Sequence, residues 1–418
     1  MTAVQGAARL GGARVLLLVP ARTYRAADFL TAAVRLGLDL VVGSDGALPL
    51  GGLPVVRAHH GDPQRSASRL IAEAGPVEAV VAADTPMLIL AAAVAARLGL
   101  AHNPVEAVIA ATDKTQQRRR WADAAIAQPA FRIVPAAASG ESLRHAAAQV
   151  GYPCVVKAVS LSASQGILRA DGPAAAVAAA GRIRQILAAV GRPGSEPLLI
   201  EEYVPGWELS IDGLLHGGDL TVTAVFDKPG TPQGPTFEET MLITPSRLPG
   251  DVLSAAARTA ADAARALGLQ YGPIHAELRI DDRRGQARPV MLELAARSIG
   301  GLCSRVLRFG GGQSLEELVL ASALGRRVSP RRLPRTSGVF MLAVERPGVL
   351  RAVEGRAEAR AVPGITALTI TIPMGQPVQP LPDGDRYLGF VFAEGKDYQQ
   401  VERALGAARE RLRVVISS

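Results

Sequence analysis

Residues 274–301, IHAELRIDDRRGQARPVMLELAARSIGG, contain two alternating apolar runs on either side of a turn-rich centre. This pattern predicts an antiparallel β-hairpin. Gly285 is equidistant from Glu277 and Glu293, so a symmetric register would place the two glutamates directly opposite each other. Like charges at opposite positions of a sheet repel. An apolar hairpin that carries this pair therefore needs a compensating group.

Three explanations of the glutamate pair are open at this point. One carboxyl could be protonated, or Arg279 or Arg297 could form a salt bridge with one of them. A divalent cation would relieve both at once, and Mg²⁺ binds through one or two carboxylates together with nucleotide phosphates. The pair favours a Mg–ATP site, with a salt-bridged structural hairpin as the alternative.

Composition excludes several classes of protein. The chain has 418 residues, 48% of them hydrophobic, which predicts a folded protein of two or three packed units. Cys154 and Cys303 are the only cysteines, which argues against a disulfide framework or a zinc cluster. The net charge of +8 comes with only 4% aromatic residues, so nucleic-acid binding is not expected. The basic run 118–120 is interpreted as a solvated surface.

Membrane insertion is not expected either. The longest apolar run, residues 86–100, is interrupted by Arg97 and is shorter than the ~20 residues of a membrane span, so it is interpreted as a buried helix. The amino terminus lacks the pattern of a secretory signal. A cytoplasmic location is therefore predicted.

The chain reads as an α/β protein in four parts. Strand and helix patterns alternate up to about residue 104, which predicts a parallel α/β domain over residues 1–104. Two central units are predicted over residues 105–205 and 206–332. Residues 333–418 are rich in strand patterns and punctuated by Gly and Pro, which indicates a carboxy-terminal subdomain.

Two segments suggest a nucleotide site, and each also has a simpler explanation. In GYPCVVKAVSLSASQG, Lys157 ends an apolar strand, and the loop after it, with Ser162, Ser164 and Gly166, could bind phosphate; a snorkelling lysine before a surface loop is the alternative. In LLIEEYVPGWELS, a strand end could pair with a purine while Glu208 binds ribose hydroxyls. Solvated acids at a strand end are the alternative there.

The remaining candidates concern the reacting groups. Arg297 could bind a phosphoryl oxygen in a bidentate manner, and Gly300 and Gly301 would leave space beside it. Glu238 or Glu239 could bind a substrate ammonium, although both also fit a solvated loop.

Taken in order, Asp113-Lys114, GYPCVVK with SASQG, EEYVPGWELS, and HAEL with LELAAR and a following Gly-Gly resemble the ATP-grasp superfamily. The most similar branch is that of the carboxylate–amine ligases of the L-amino-acid ligase type. The resemblance runs from about residue 105 to 325. It implies the ATP-grasp fold, with the predicted central units as its two subdomains and residues 333–418 packed on the larger one.

The resemblance also implies roles for individual residues. Lys114, Lys157 and the loop with Ser162, Ser164 and Gly166 would bind the ATP phosphates. Adenine would contact Glu201, Glu202 and Val204, and the ribose would contact Glu208. Glu277 and Glu293 would bind Mg²⁺, or Mn²⁺ in its place, and Arg297 and His275 would contact the reacting groups. Ala295 stands where many members have an asparagine, which leaves the number of metal ions open. A lone histidine such as His275 is more often structural.

The implied reaction joins a carboxylate, activated as an acyl phosphate, to an amine, with ADP and phosphate as products. Its partners would be a small carboxylate and a small amine. A homodimer is compatible with this interpretation. A bicarbonate-activating carboxylase-like enzyme and a nucleotide-binding regulator without turnover are the alternatives.

Overall fold

The computed structural model describes residues 11–48, 53, 55–230, 233–283, 285–328 and 330–417. The expectation that the amino terminus lacks a secretory signal concerns residues 1–10 in part, and these lie outside the described residues. None of the described helices is long and apolar enough to cross a membrane.

The first unit is a parallel sheet in the strand order β3-β2-β1-β4. Its elements are β1 (Arg14–Val19), α1 (Ala26–Leu36), β2 (Asp39–Ser44), β3 (Val55–Arg57), α2 (Pro63–Ala74), β4 (Ala79–Ala82), the short 3-10 helix Thr85–Met87, α3 (Leu88–Leu98) and α4 (Val105–Thr112). Strand β1 is buried along almost its whole length, as expected for a parallel sheet covered on both faces. Helix α3 is buried as predicted.

The second unit is an antiparallel sheet in the order β5-β8-β6-β7. Its elements are α5 (Lys114–Asp123), β5 (Phe131–Val134), α6 (Gly140–Val150), β6 (Cys154–Ala158), β7 (Ile167–Ala170), α7 (Pro173–Ala189) and β8 (Leu198–Glu202). Asp113 caps α5, because its carboxylate accepts hydrogen bonds from the backbone N–H groups of Thr115 and Gln116. This cap fixes the start of α5 and therefore the position of Lys114, its first residue.

The third unit is built on a larger antiparallel sheet. Its elements up to residue 323 are β9 (Trp207–His216), β10 (Asp219–Asp227), β11 (Met241–Thr244), α8 (Gly250–Ala266), β12 (Tyr271–Asp281), β13 (Arg288–Ala295), the 3-10 helix Cys303–Val306 and α9 (Leu315–Ala323). Helix α8 covers one face of this sheet through its buried alanines. The indole of the buried Trp121 donates a hydrogen bond to the carbonyl of Ala263, which joins α5 to α8.

The carboxy-terminal residues extend the same sheet. They form β14 (Thr336–Leu342), β15 (Gly348–Glu354), α10 (Arg356–Arg360), β16 (Ile365–Ile370), β17 (Pro377–Val378), β18 (Gly389–Gly395), α11 (Tyr398–Arg411) and β19 (Arg413–Ser417). Within the described residues the large sheet has the order β13-β12-β9-β10-β11-β14-β18-β16, and β17-β15-β19 form a smaller one. Because β11 pairs with β14, the large sheet contains strands from both sides of the predicted boundary at residue 333. The domain boundaries themselves remain predictions.

The α/β fold class is therefore confirmed. One hydrophobic cluster joins the first unit, α9 and the strands β11, β14 and β18. It holds the parallel sheet against the large sheet, with a cavity between them.

Candidate active site

A cavity of about 550 Å³ opens between the units. Most of the predicted site residues line it: Lys157, Ser162, Ser164, Glu201, Glu202, Glu208, Glu239, His275, Glu277, Glu293, Arg297, Gly300 and Gly301. Four others lie beside it. Lys114 contacts Glu293, the Gly166 amide donates to the carbonyl of Pro382, the Val204 carbonyl accepts from Arg279, and Glu238 faces a smaller adjoining pocket.

A row of polar residues crosses the centre of the cavity on strands β9 and β12. Three pairs lie directly opposite each other: Glu208 with Arg279, Ser210 with Glu277, and Asp212 with His275. The Arg279 guanidinium donates to Glu208 at 2.8 Å, and His275 Nδ1 lies 3.1 Å from Asp212. The period of two along each strand puts all of these side chains on one face of the sheet.

Glu277 and Glu293 are opposite each other, as the hairpin pattern predicts. The register near the turn differs from the predicted one, because Asp281 pairs with Arg288 rather than with Pro289. An irregularity at Leu292, which has no partner in the β12–β13 ladder, shifts the register by one residue and brings the glutamates together. Neither Arg279 nor Arg297 forms a described salt bridge with this pair; Glu277 is paired instead with Lys228, and Glu293 with Lys114.

Lys228 lies immediately after β10, among three carboxylates. Its ammonium is 3.1 Å from Glu208 and 3.4 Å from Glu277, and it also contacts Glu239. Burial alone would lower the pKa of Lys228, but the three carboxylates raise it well above its ordinary value. Burial likewise works to raise the pKa of Glu277, yet Lys228 and His275 hold it well below its usual range. Lys228 and Glu277 are therefore both charged.

The same cluster has the donor set of a hard-cation site. One oxygen from each of Glu208, Glu239 and Glu277 lies within 4.8 Å of the others. Ser210 adds a buried hydroxyl with no hydrogen-bond partner among the described residues, directly opposite Glu277. Carboxylate and hydroxyl oxygens suit Mg²⁺, so this cluster, which shares Glu277 with the predicted pair, has ligands of the kind that the ion requires. The Lys228 ammonium lies among the same three carboxylates.

Two lysines of the second unit lie at the cavity, Lys157 in its lining and Lys114 beside it, and each is paired with a glutamate. The Lys114 ammonium donates to the carbonyl of Leu161 at 2.6 Å and lies 3.2 Å from Glu293. The Lys157 ammonium lies 2.6 Å from Glu201. Lys157 stands at the end of a strand and Lys114 at the start of a helix, so neighbouring elements fix the position of each.

Glu201 also pairs with Arg118, at 2.5 Å. The interpretation of residues 118–120 as a solvated surface is wrong for Arg118, which is 2% exposed. The guanidinium is buried because helix α5 packs it against β8 and the carbonyl of Leu292. Despite burial, Arg118 and Lys157 lower the pKa of Glu201 to about 2.

The loop 160–166 after β6 has an unusual backbone. Ala163 and Ser164 have φ angles of 54° and 58°, which residues other than glycine seldom adopt. The loop is fastened to the carboxy-terminal unit, since the Gly166 amide donates to Pro382 and the Gln165 side chain donates to the carbonyl of Asp383. Successive amides in such a conformation can form an anion-binding concavity. The loop 160–166 therefore stays a predicted phosphate loop with a backbone suited to that role.

The segment after β13 is anchored from three sides. Arg297 donates to the hydroxyl of Thr85 at 2.9 Å and to the carbonyl of Ser298. The fully buried Arg25 donates to the hydroxyl of Ser298 at 2.5 Å, and the Ile299 amide donates to Asp212 at 2.8 Å. Arg297 is therefore fixed by the first unit and by the carbonyl of the residue that follows it.

His275 lies between Asp212 and Glu277, with Nε2 3.4 Å from Glu277. Burial would lower the pKa of His275, but Asp212 and Glu277 raise it to about 9. The ring is therefore an imidazolium near neutral pH, and both of its nitrogens face carboxylates. This geometry favours a role in positioning Glu277 over the contact with substrate that the sequence suggests.

Sequence reasoning missed Lys228, Asp212 and Arg118. A signal existed for Asp212, because Glu208, Ser210 and Asp212 recur with a period of two in an otherwise apolar strand. Lys228 directly follows the end of β10, whose last residues before it include Ala224, Val225 and Phe226. We find no local signal for Arg118, since its burial depends on β8 and β13.

Gly301 provides a test of the local packing. Its φ is +60°, and a Cβ atom there would lie 2.7 Å from the ring of Phe390. Gly301→Ala is therefore expected to lower the free energy of unfolding by about 2–4 kcal/mol, from overpacking and left-handed backbone strain. Chemical denaturation of both proteins measures this difference.

Gly300→Ala is the matched control. Its Cβ would lie 3.6 Å from the Arg297 guanidinium, an ordinary contact, and its φ is not in the left-handed region. We expect a change of less than about 1 kcal/mol. Equal losses at the two positions would contradict the packing argument.

Comparisons with known proteins agree with this geometry. Residues 150–306 match the ATP-grasp domain, and residues 340–417 match the L-amino acid ligase C-terminal domain 2. The chain therefore contains an ATP-grasp domain, followed by a module of its own family. Its carboxy-terminal module is of the L-amino acid ligase type, so the resemblance drawn from the sequence motifs is confirmed.

Three proteins illustrate the similarity. The chain is 31% identical to carnosine synthase 1 of Gallus gallus over 225 residues, which cover 50% of this chain and 24% of that protein. It is 29% identical to alanine–anticapsin ligase of Bacillus subtilis over 220 residues, which cover 49% of this chain and 45% of that protein. The crystal structure of L-amino acid ligase from Bacillus licheniformis superposes with a TM-score of 0.80 at 23% identity, covering 99% of this chain and 100% of that one.

These matches differ in the fraction of each matched protein that they cover. The matched region spans about a quarter of the first curated relative and less than half of the second. The crystal structure shares the fold over nearly the whole of both chains.

Proposed function

We propose that the protein is an ATP-dependent carboxylate–amine ligase that forms ADP. The observation that carries this proposal is that Lys157, Arg297, Glu277 and Glu293 line one cavity, with Lys114 beside it and paired with Glu293. Two of the relatives are named as enzymes that join amino-acid-like molecules, a carnosine synthase and an alanine–anticapsin ligase. The ATP-grasp domain supports ATP as the energy source.

In this proposal the nucleotide lies between the second and third units. Lys157 and the loop 160–166 bind phosphate oxygens, and the strand end at Glu202 and Val204 contacts adenine through its backbone. Glu208, which lines the cavity beside Arg279, binds the ribose. The side chain of Glu201 keeps the ammonium of Lys157 in place. Binding is then mainly a matter of positioning, which suits phosphoryl transfer.

Glu277 and Glu293, which face each other across the hairpin, would hold Mg²⁺. When bound, the ion would neutralise charge on the phosphate oxygens. Lys228 balances the charge of the surrounding carboxylates. His275 holds Glu277 in orientation through its own bond to Asp212.

The reaction then has two steps. A carboxylate oxygen of the acid attacks the γ-phosphorus of ATP, the bond to the β-phosphate oxygen breaks, and ADP leaves. The amine nitrogen next attacks the acyl carbon of the acyl phosphate and loses a proton, and phosphate leaves. Arg297, held by Thr85 and Ser298, would stabilise the charge on the transferred phosphoryl group and the acyl oxygen.

The test is ADP release with Mg–ATP against a panel of amino acids, supplied singly and in pairs, with bicarbonate as a separate arm. We expect ADP only when both an acid and an amine are present, together with an amide product seen by mass spectrometry. The control is heat-denatured protein with the same mixtures.

Two outcomes would contradict the proposal. ADP release that depends on bicarbonate alone would favour a carboxylase-like activity. Tight ATP binding without ADP release under any combination would favour a nucleotide-binding regulator.

A further inference from the structure

The cavity has a second end that the nucleotide does not need. It is formed by Leu242, Ile299, Cys303 and Met341, which belong to one buried cluster, and by Tyr24 and Tyr387, which pack against that cluster. We call these six residues the apolar pocket. They come from the first unit, from β11, from the segment after β13 and from the carboxy-terminal unit, so the pocket exists only in the assembled fold.

The walls of the apolar pocket are continuous. The β11–β14 register pairs Leu242 with Val339, and Met341 lies two residues further on the same face of the sheet. The Cys303 thiol contacts the Met341 sulfur at 3.7 Å. The rings of Tyr24 and Tyr387 both lie against Phe390, with centroids 5.7 Å and 6.1 Å away.

The apolar pocket carries no charge. Burial raises the pKa of the Tyr24 phenol to about 12 and that of the Cys303 thiol above its ordinary value, so both stay neutral. The nearby Thr371 hydroxyl already donates to the backbone of Tyr387 and Leu388. The charged pair Asp385 and Arg386 also lines the cavity, and both residues are exposed. Charged groups thus border the pocket, with Asp385 and Arg386 near Tyr24, and Glu239 near Cys303 and Tyr387. The six walls themselves present mostly carbon and sulfur atoms, so a polar side chain buried among them would lose water and gain few partners.

The position of the apolar pocket relative to the reacting groups decides which part of a substrate it receives. Ile299 is two residues after Arg297, and Cys303 follows Gly300 and Gly301, all of which line the same cavity. An acid whose carboxylate bound beside Arg297 would have its α-carbon near these glycines, which line the cavity without side chains. Its side chain would then extend toward Met341 and the two tyrosines, which line the same cavity.

We infer that the carboxylate substrate carries a large, uncharged apolar side chain, of the aliphatic or thioether kind, which binds in the apolar pocket. This inference rests on the proposed ligase function and specifies its substrate class. Glu239, which lies beside Lys228, is placed to meet the ammonium of such an amino acid.

The experiment compares amino acids of nearly equal size and different polarity. Hydroxylamine serves as a small common amine that converts an acyl phosphate into a hydroxamate, which is measured together with ADP. Methionine is compared with glutamine, and leucine with asparagine. Alanine, which is apolar but small, shows the effect of side-chain volume. We expect kcat/KM for methionine and leucine to exceed that for their amide counterparts and for alanine by at least about tenfold.

A pocket variant links this preference to the named residues. Met341→Ala enlarges the apolar pocket and is expected to raise the ratio of kcat/KM for phenylalanine over methionine by at least about fivefold. Met341→Leu, a milder change, covers the case in which the alanine variant does not fold, and should leave that ratio within about twofold of the wild type. Ratios between substrates within one variant do not depend on the fraction of folded protein.

The outcomes distinguish a failure of this substrate inference from a failure of the proposed ligase function. Turnover that favours glutamine, asparagine or glutamate over methionine and leucine would overturn the apolar substrate class while the ligase function stands. A methionine preference that Met341→Ala leaves unchanged would also overturn it, because the preference would then arise elsewhere. Absence of ADP and hydroxamate with every acid would overturn the proposed function itself.

Discussion

Replacing Glu277 with glutamine is expected to lower Mg–ATP-dependent ADP formation by at least about a hundredfold. Glu277 faces Glu293 across the hairpin, contacts Lys228 and His275, and shares a potential cation site with Glu208 and Glu239. Glutamine keeps the size of the side chain but removes the negative charge that attracts both a metal ion and the Lys228 ammonium. The rate of ADP release with the best acid and amine measures the loss.

A second readout separates metal binding from general damage. Calorimetric titration of ATP into the Glu277→Gln protein at several Mg²⁺ concentrations should show a weaker dependence on Mg²⁺ than the wild type does. Asp281→Asn is the matched control, because Asp281 lies on the same strand but pairs with Arg283 away from the cavity lining. A folded Glu277→Gln protein with unchanged Mg²⁺ dependence would contradict the metal assignment.

Glu201→Gln is expected to destabilise the folded protein by about 3–5 kcal/mol, because removing one partner leaves buried charges uncompensated. Glu201 is 1% exposed and is the common partner of Arg118 and Lys157. Chemical denaturation at neutral pH measures the difference. Glu202→Gln is the matched control: its partner Arg283 is largely exposed, and such a surface pair contributes at most about 1 kcal/mol.

The stabilisation by Glu201 is also expected to depend on pH. The pKa of Glu201 is lowered from its ordinary value of 4.5 to about 2, so the folded state binds its proton less readily than the unfolded state does. The stabilisation is therefore complete above about pH 4.5 and is lost as the pH falls toward 2. The gap in stability between wild type and Glu201→Gln should narrow over this range. A gap that is the same at pH 7 and pH 3 would contradict the ion-pair explanation.

Much of the fold could be predicted from local patterns. The alternation of strand and helix over the first hundred residues predicts the parallel sheet, because an α/β rhythm has few other packed solutions. The two apolar runs around Gly285 predict the hairpin, and the glutamates at its centre predict a charged pair inside the cavity. The apolar run 86–100 likewise predicts a buried helix, which is α3.

Other features could not be predicted from neighbouring residues. The irregularity at Leu292 sets the final register of the hairpin, yet it depends on contacts of the β13 backbone with Ala127 and Arg118. Lys228 meets Glu208 and Glu277 only because β9, β10 and β12 are adjacent in the sheet. Arg118 looks like a surface residue in a run of three arginines until β8 brings Glu201 to it.

The sequence by itself determined the kinds of element, the resemblance to ATP-grasp ligases and most of the charged residues that meet in the cavity, because these depend on periodicity and on motifs within short stretches. Tertiary structure alone decided which charges are paired, since Lys228, Glu208, Glu239 and Glu277 come from distant segments. It also decided the shape of the apolar pocket, whose six residues come from separate units. Electrostatic pairing and cavity shape depend on distances across the fold, and these are fixed only when the sheets pack together.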